Sequence, residues 1–455
     1  MTLANTRKGN MLEGPLFVAV IRYTIPIILT GILQLLFNAA DLVVVGQFCG
    51  EISVAAVGNA GTVTALIVNL FIGLSVGTGV TVAQAIGANK EQSIYRAVHT
   101  ALPAAIVSGA VITVAGLIFS EPLLRLMDTP ISVLPLSNAY MKIYFAGTIF
   151  MMVYNFCAAI LRAAGDTKSP LIYLTISGVI NVVLNVIFVT VFDMNVAGVA
   201  LATTLSQGVS AVLVVIALMR RQDACRLQLS KIRFYKKELL EIIRIGVPAG
   251  IQNCLFSISN VIIQSSINSF GDVFMSGNAA ANNIDGFLYV TLNGFHQTAL
   301  NFIGQNAGAG QYKRAKKILW ICLGCVAVLC LILATLICSF GPQLLSIYIP
   351  NSPEAVACGM IRLTCLCYPF CFGGWLDVST GALRGLGASV SPMVISVLGI
   401  CGLRIVWIYT IFQLPAFHTP QWLYFSYAVS WAVTFVIQTI VFSAICRKRE
   451  RALNS

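Results

Sequence analysis

Apolar stretches long enough to cross about 30 Å of hydrocarbon recur twelve times in this chain, centred near Gly31, Leu66, Ile106, Thr148, Ile180, Ser210, Ser257, Tyr289, Ala327, Thr364, Gly402 and Val433. A backbone immersed in lipid must satisfy its own hydrogen bonds, so only helices and closed barrels span membranes. The stretches are longer than barrel strands and lack their period-two alternation, which selects helices. Composition agrees, because 58% of the 455 residues are hydrophobic and only 10% charged, too little charge to cover a soluble surface. The expectation is an all-α polytopic protein with twelve transmembrane helices. The first run, about Phe17 to Val45 after Arg7 and Lys8, is too long for a signal-peptide core and has no small-residue cleavage site, so it reads as a retained span.

The net charge of +12 is not spread evenly. Basic residues collect at the N-terminus, in alternate loops and at the C-terminus (Lys90, Arg162, Arg220, Lys236, Lys313, Arg384, Lys448), whereas the opposite loops hold only Arg125. This bias places both termini and the 220–240 segment in the cytoplasm. No basic stripe with interleaved aromatics points to nucleic acid. The 14 cysteines lie mostly in apolar runs without a His or carboxylate cluster. They read as small hydrophobes; Cys322 and Cys325 have a two-residue spacing but no second pair, so no metal is expected. There is no Gly-x-x-x-x-Gly-Lys-Ser/Thr loop to hold ATP and no nucleophile beside a base, so neither an enzyme nor a cofactor is expected.

The polar segment 220–240 divides the chain into residues 1–219 and 241–455, with six spans each. The halves repeat one another. At a shift of 222, Arg22, Pro26, Asn38, Phe48, Leu161-Arg162, Gly165 and Ser169-Pro170 meet Arg244, Pro248, Asn260, Phe270, Leu383-Arg384, Gly387 and Ser391-Pro392. At a shift of 221, Gln84, Gly87 and Ala88 meet Gln305, Gly308 and Ala309. Six spans separate the copies, so both enter the membrane from the same side, giving parallel six-helix repeats with a binding site expected between them.

The segment Leu161-Arg162-Ala163-Ala164-Gly165-Asp166-Thr167-Lys168-Ser169-Pro170, its echo from Leu383 to Pro392, and the pair Gln84-Ala85-Ile86-Gly87-Ala88 and Gln305-Asn306-Ala307-Gly308-Ala309 resemble the multidrug and toxic compound extrusion (MATE) transporters. The likeness runs from about residue 15 to 445. It implies a V-shaped, two-lobe efflux antiporter of the bacterial cytoplasmic (inner) membrane. Such a protein, expected here as a monomer, exchanges protons or sodium for small cationic or amphiphilic drugs. The resemblance also carries over an ion-coupling set in the first lobe: Asp41, Asn181, Asn185 and Thr203. Two further acids of the family pattern are replaced here by Phe256 and Gly373.

The residues speak separately. Asp41, Asp285 and Asp377 are the acids inside spans, each costing about 2.5 to 3.5 kcal/mol at a helix centre. Gln34, Asn38 and Asp41 share one helix face, and Asp41, Asn185 and Thr203 lie at one depth, roughly 9 Å below the outer surface. A carboxylate placed out of water among amides is suited to taking and losing protons. A second stripe, Asn278, Asn282, Asp285, Tyr289, Asn293 and His296, falls on one helix face. It lines either a wet cavity with no specific task or a site where Asp285 attracts a cationic substrate. Asp377, two turns before Arg384, reads as a cytoplasmic gate or a structural pair, alongside the Arg162 and Arg384 motifs. Lys142 and Arg362 are placed to reach outward along their stems. Arg404, mid-span, needs a carboxylate or a water cavity, and Asp377 and Asp285 are its only internal candidates. Pro26 and Pro248, early in the first helix of each half, mark either hinges or fixed kinks. The rival to a drug exporter is a flippase for lipid-linked sugars, which calls for a strongly cationic cavity.

Overall fold

The computed structural model describes residues 11–127, 129–350 and 352–454; Arg7 and Lys8 lie outside the described residues. Sixteen α-helices follow one another: α1 Leu16–Phe48, α2 Glu51–Gly87, α3 Glu91–Leu126, α4 Leu134–Ala146, α5 Thr148–Ala163, α6 Lys168–Thr190, α7 Asn195–Met219, α8 Lys236–Asn268, α9 Asp272–Gly308, α10 Tyr312–Ser339, α11 Gly341–Tyr348, α12 Pro353–Leu366, α13 Phe370–Gly385, α14 Val390–Ser396, α15 Leu403–Tyr409 and α16 Pro420–Asn454. There is no strand among the described residues. Nine helical segments among those residues are long and apolar enough to cross a membrane, and eleven when each of two bent pairs is one span. The 37-residue α9 has the length but not the apolarity, because its polar stripe dilutes it. With α9 the count reaches the expected twelve.

The environment is written on α3. Val107, Val111, Val114 and Ile118 form a stripe that is 52%, 49%, 57% and 61% exposed, while Ala97, Ala101, Ala105 and Gly116 are turned inward. Large apolar side chains outside and small residues inside invert the soluble pattern and suit a lipid solvent, where close backbone packing holds helices together. The tightest such packing joins α2 to the first part of α8. A Cβ on Gly73 would lie 2.3 Å from the Gly250 nitrogen, and one on Gly77 2.2 Å from the Ile242 oxygen.

The motifs that repeat in the sequence are helix ends. Gly165 and Gly387 adopt φ of +88° and +80°, and the chain reverses with Asp166 N–H donating to Leu161 O at 2.9 Å and Ala388 N–H to Leu383 O at 3.0 Å. Those bonds satisfy carbonyls that the helix leaves orphaned, and the left-handed backbone is why glycine stands there.

Two spans that read as continuous in the sequence are broken. Helices α4 and α5 meet at 45° around Gly147, and α12 and α13 at 51° just before Phe370, where Pro369 removes a donor. The freed carbonyls find partners: Thr204 donates to Ile143 O (3.3 Å), Thr113 and Thr148 both donate to Phe145 O (2.7 Å), and the Cys330 thiol to Cys367 O (3.5 Å). By contrast, Pro26 and Pro248 lie inside the unbroken helices α1 and α8.

Two compact units emerge. One comprises Leu29–Ile251; the other joins Met11–Ile28 to Gln252–Ser455. The first part of α1 therefore belongs with the C-terminal helices, where Thr24 shares a 2.7 Å hydrogen bond with Thr298 and Tyr23 sets its ring edge on Phe302. The first part of α8 belongs with the N-terminal helices. Each crossing comes just after a proline, Pro26 or Pro248. The 220–240 segment folds onto α3: Gln228 N–H donates to His99 Nε2 (3.1 Å) and Tyr235 N–H to Thr100 Oγ1 (3.1 Å). Within it Arg221 pairs with Asp223; burial pushes the Asp223 carboxyl up, but the pairing and local N–H donors outweigh burial and hold it below the usual carboxylate range.

Candidate functional site

The N-terminal unit gathers Asp41 of α1, Asn181 and Asn185 of α6 and Thr203 of α7 into one hydrogen-bonded chain. Asn185 Nδ2 donates to Asp41 Oδ1 and, at 3.4 Å, to Asn181 Oδ1; Asn181 Nδ2 donates to Thr203 Oγ1 at 3.3 Å; Thr203 donates to Val199 O at 3.0 Å. Asn181 and Asn185 are buried, Asp41 half-buried. Helix α1 reaches α6 because of Gly178, whose missing Cβ leaves room for the Phe37 ring; a Cβ there would sit 1.9 Å from Phe37 Cε2. Phe37 precedes Asp41 by one turn and Gly178 precedes Asn181 by about one turn, so the close approach delivers the carboxylate to the amides. No ion pair involves Asp41 among the described residues. Gln34 and Asn38 are exposed on the same helix and do not join the chain.

Beside this chain lies a small recess lined by Tyr144, Gly147, Thr148, Met151, Thr203, Thr204 and Gln207. Thr203 belongs to both, and the buried Gln207 Oε1 has no partner among the described residues. Sequence reasoning missed Gln207, although it follows Thr203 by one helical turn and so shares its face.

The C-terminal unit is organised differently, around arginines. Arg362 of α12 turns inward, where the sequence suggested an outward reach. Its Nε donates to Asp285 Oδ2 at 2.7 Å, Nη1 to Asn278 Oδ1 at 2.9 Å and Nη2 to Asn282 Oδ1 at 2.9 Å; Tyr424 OH also donates to Asn278 Oδ1 at 2.7 Å. Asp285 is 2% exposed and its charge is paired with Arg362 inside the protein. The lower part of the α9 stripe forms a second group. Asn293 donates to the half-buried Asp377, which faces the charge of Arg384, and Tyr289 lies in reach of the same two charges. His296 Nδ1 bonds Asp377 O at 2.7 Å, and Arg384 Nη2 donates to Gln252 Oε1 at 2.9 Å. Arg162, the counterpart of Arg384 in the repeat, hydrogen-bonds Tyr154. No group of three or more His, Cys, Asp or Glu able to hold a metal occurs among the described residues.

A protein-family model described as MatE matches residues 26–187 and again residues 248–410. The chain belongs to the MatE family. The two matched stretches begin at Pro26's position and at Pro248's, the same spacing that relates the repeats. Among relatives of this MatE chain, the Bacillus subtilis (strain 168) "Probable multidrug resistance protein YpnP" is 30% identical over 86% of this chain and 87% of its own length. A Shewanella oneidensis protein named an FAD transporter is 24% identical over 86% of each. A solved MOP superfamily transporter from Pyrococcus furiosus Vc1, described as having a binding pocket of reverse polarity, superposes with a TM-score of 0.91 at 21% identity, covering 98% of this chain and 99% of that one. The MatE fold is thus shared across nearly the whole length.

Proposed function

We propose that this MatE protein is a secondary active exporter of small cationic or amphiphilic compounds, driven by inward movement of protons, with sodium as the alternative ion. The observation that carries the reading is the Asp41 carboxylate, half-buried and held by a neutral amide with no ion pair among the described residues. An acid so placed has no fixed cation beside it, so an arriving proton or cation is what can neutralise its charge. Cancelling it weakens the bond from Asn185 and with it the tie between α1 and α6. Helix α1 is also the element that passes from one compact unit to the other just after Pro26, so a change at Asp41 acts on a helix shared by both units. Proton coupling is favoured over sodium because the family's second set of acids is absent: Phe256 replaces one, and at Gly373 the Trp431 ring occupies the space, 3.3 Å from where a Cβ would lie. The relatives named for multidrug resistance support a drug-like cargo.

The test is efflux of a fluorescent cation from proteoliposomes under separately imposed proton and sodium gradients. Efflux driven by a pH gradient in sodium-free buffer is expected. A sodium requirement at every pH tested overturns the proton assignment.

A further inference from the structure

Arg404 is a buried charge that this scheme does not use. Arg404 of α15 is 3% exposed, and the acids that could have met it are engaged elsewhere, Asp285 with Arg362 and Asp377 with Asn293 and Arg384. No salt bridge reaches Arg404 among the described residues. Its Nε donates to Ser430 Oγ at 3.0 Å, its guanidinium lies 3.9 Å above the Tyr427 ring and 5.6 Å from the Trp431 ring, and its Nη2 is enclosed with no acceptor among the described residues. The residues just before it, Val397–Gly402, form a π-helical turn, a widened backbone that recurs at functional sites. Tyr427 and Trp431, the two rings beside the guanidinium, are themselves only half-buried.

We propose that Arg404, Ser430, Tyr427 and Trp431 form a receiving point for a carboxylate carried on a flat aromatic compound. The planar guanidinium presents paired N–H donors that match a carboxylate; among the described residues the Ser430 hydroxyl accepts from its Nε while Nη2 has no acceptor. The two rings supply faces on which an aromatic group stacks beside the charge. Stacking on the rings alone leaves the guanidinium short of a counter-charge, so the site discriminates an aromatic acid from its neutral isostere. Binding at this point is separate from ion coupling at Asp41; only the direction in which such a cargo moves rests on the export reading.

The experiment measures binding of 2-naphthoate and of neutral 2-naphthamide to the full-length protein in nanodiscs at pH 7.5, by quenching of tryptophan fluorescence, with no ion gradient imposed. In the wild type the acid is expected to bind at least about tenfold more tightly than the amide. Arg404→Met is expected to remove that preference while leaving the amide within about twofold, and Arg404→Lys, which keeps the charge but loses the planar fork, to retain an intermediate preference. Equal affinity of the wild type for the two compounds overturns the proposal even if a variant fails to fold. So does an equal loss for both compounds in Arg404→Met.

Discussion

Asp41 and Asp285 are both carboxylates inside long helices, and they are settled by opposite means. Asp41 is met by a buried amide chain that adds donors without adding charge; Asp285 is met by a guanidinium that cancels its charge and is itself anchored by Asn278 and Asn282. On the proposed reading, a carboxylate met only by amides is free to exchange a proton or cation, whereas one locked to arginine belongs to the scaffold. The same residue type is thus met by two kinds of partner, a neutral amide in one unit and an arginine in the other.

The largest effect that tests this contrast is expected at Asp41. Asp41→Asn removes the exchangeable charge while preserving shape, so gradient-driven efflux in proteoliposomes is expected to fall by about a hundredfold or more with thermal stability in detergent little changed. Near-normal efflux takes Asp41 out of the mechanism. Asp285→Asn has the opposite signature. It leaves Arg362 buried without a counter-charge, for an expected loss of about 3 to 5 kcal/mol, seen as a lowered thermal midpoint. If the variant keeps its stability and instead loses affinity for cationic compounds alone, Asp285 is a substrate group and the contrast collapses.

Gly178→Val sharpens the comparison by leaving both acids intact. The added branch meets the Phe37 ring, forces α1 away from α6 and is expected to cost about 1 to 3 kcal/mol while depressing efflux more than tenfold. Unchanged efflux detaches the close approach from function. The smallest effect is expected for Asn278→Ala, which deletes one acceptor shared by Arg362 and Tyr424, at roughly 1 to 3 kcal/mol, with cationic and neutral cargoes affected alike. A selective loss of cationic cargo there speaks for a binding role.

Much of this was legible in the sequence, for identifiable reasons. The Asp41 group is implied by the family resemblance, and the shared depth of Asp41, Asn185 and Thr203 on three separate helices points to it independently. Asp285 could be placed on a face, since helical period gives faces, but not paired, since period is silent about which neighbouring helix faces back. Arg362 was assigned by depth alone, which allowed an outward reach; its three hydrogen bonds inward outweigh it. The breaks at Gly147 and Pro369 lie 222 residues apart, the repeat spacing itself, so a signal existed in a glycine and a proline at equivalent sites. Gly73 and Gly77 opposite Gly246 and Gly250 are likewise a small-residue pattern that marks close helix packing without naming the partner.

The exchange of the first parts of α1 and α8 imposes an order on biosynthesis. Thr24 leaves the ribosome 274 residues ahead of the Thr298 hydroxyl that it meets, and the Met11 carbonyl 295 residues ahead of Asn306. The first helix inserts while the helices that will enclose its beginning do not yet exist. The N-terminal unit, for its part, stays incomplete until translation has run past the 220–240 segment into α8. A ribosome stalled after Met219 holds a unit without its last piece and a piece without its unit.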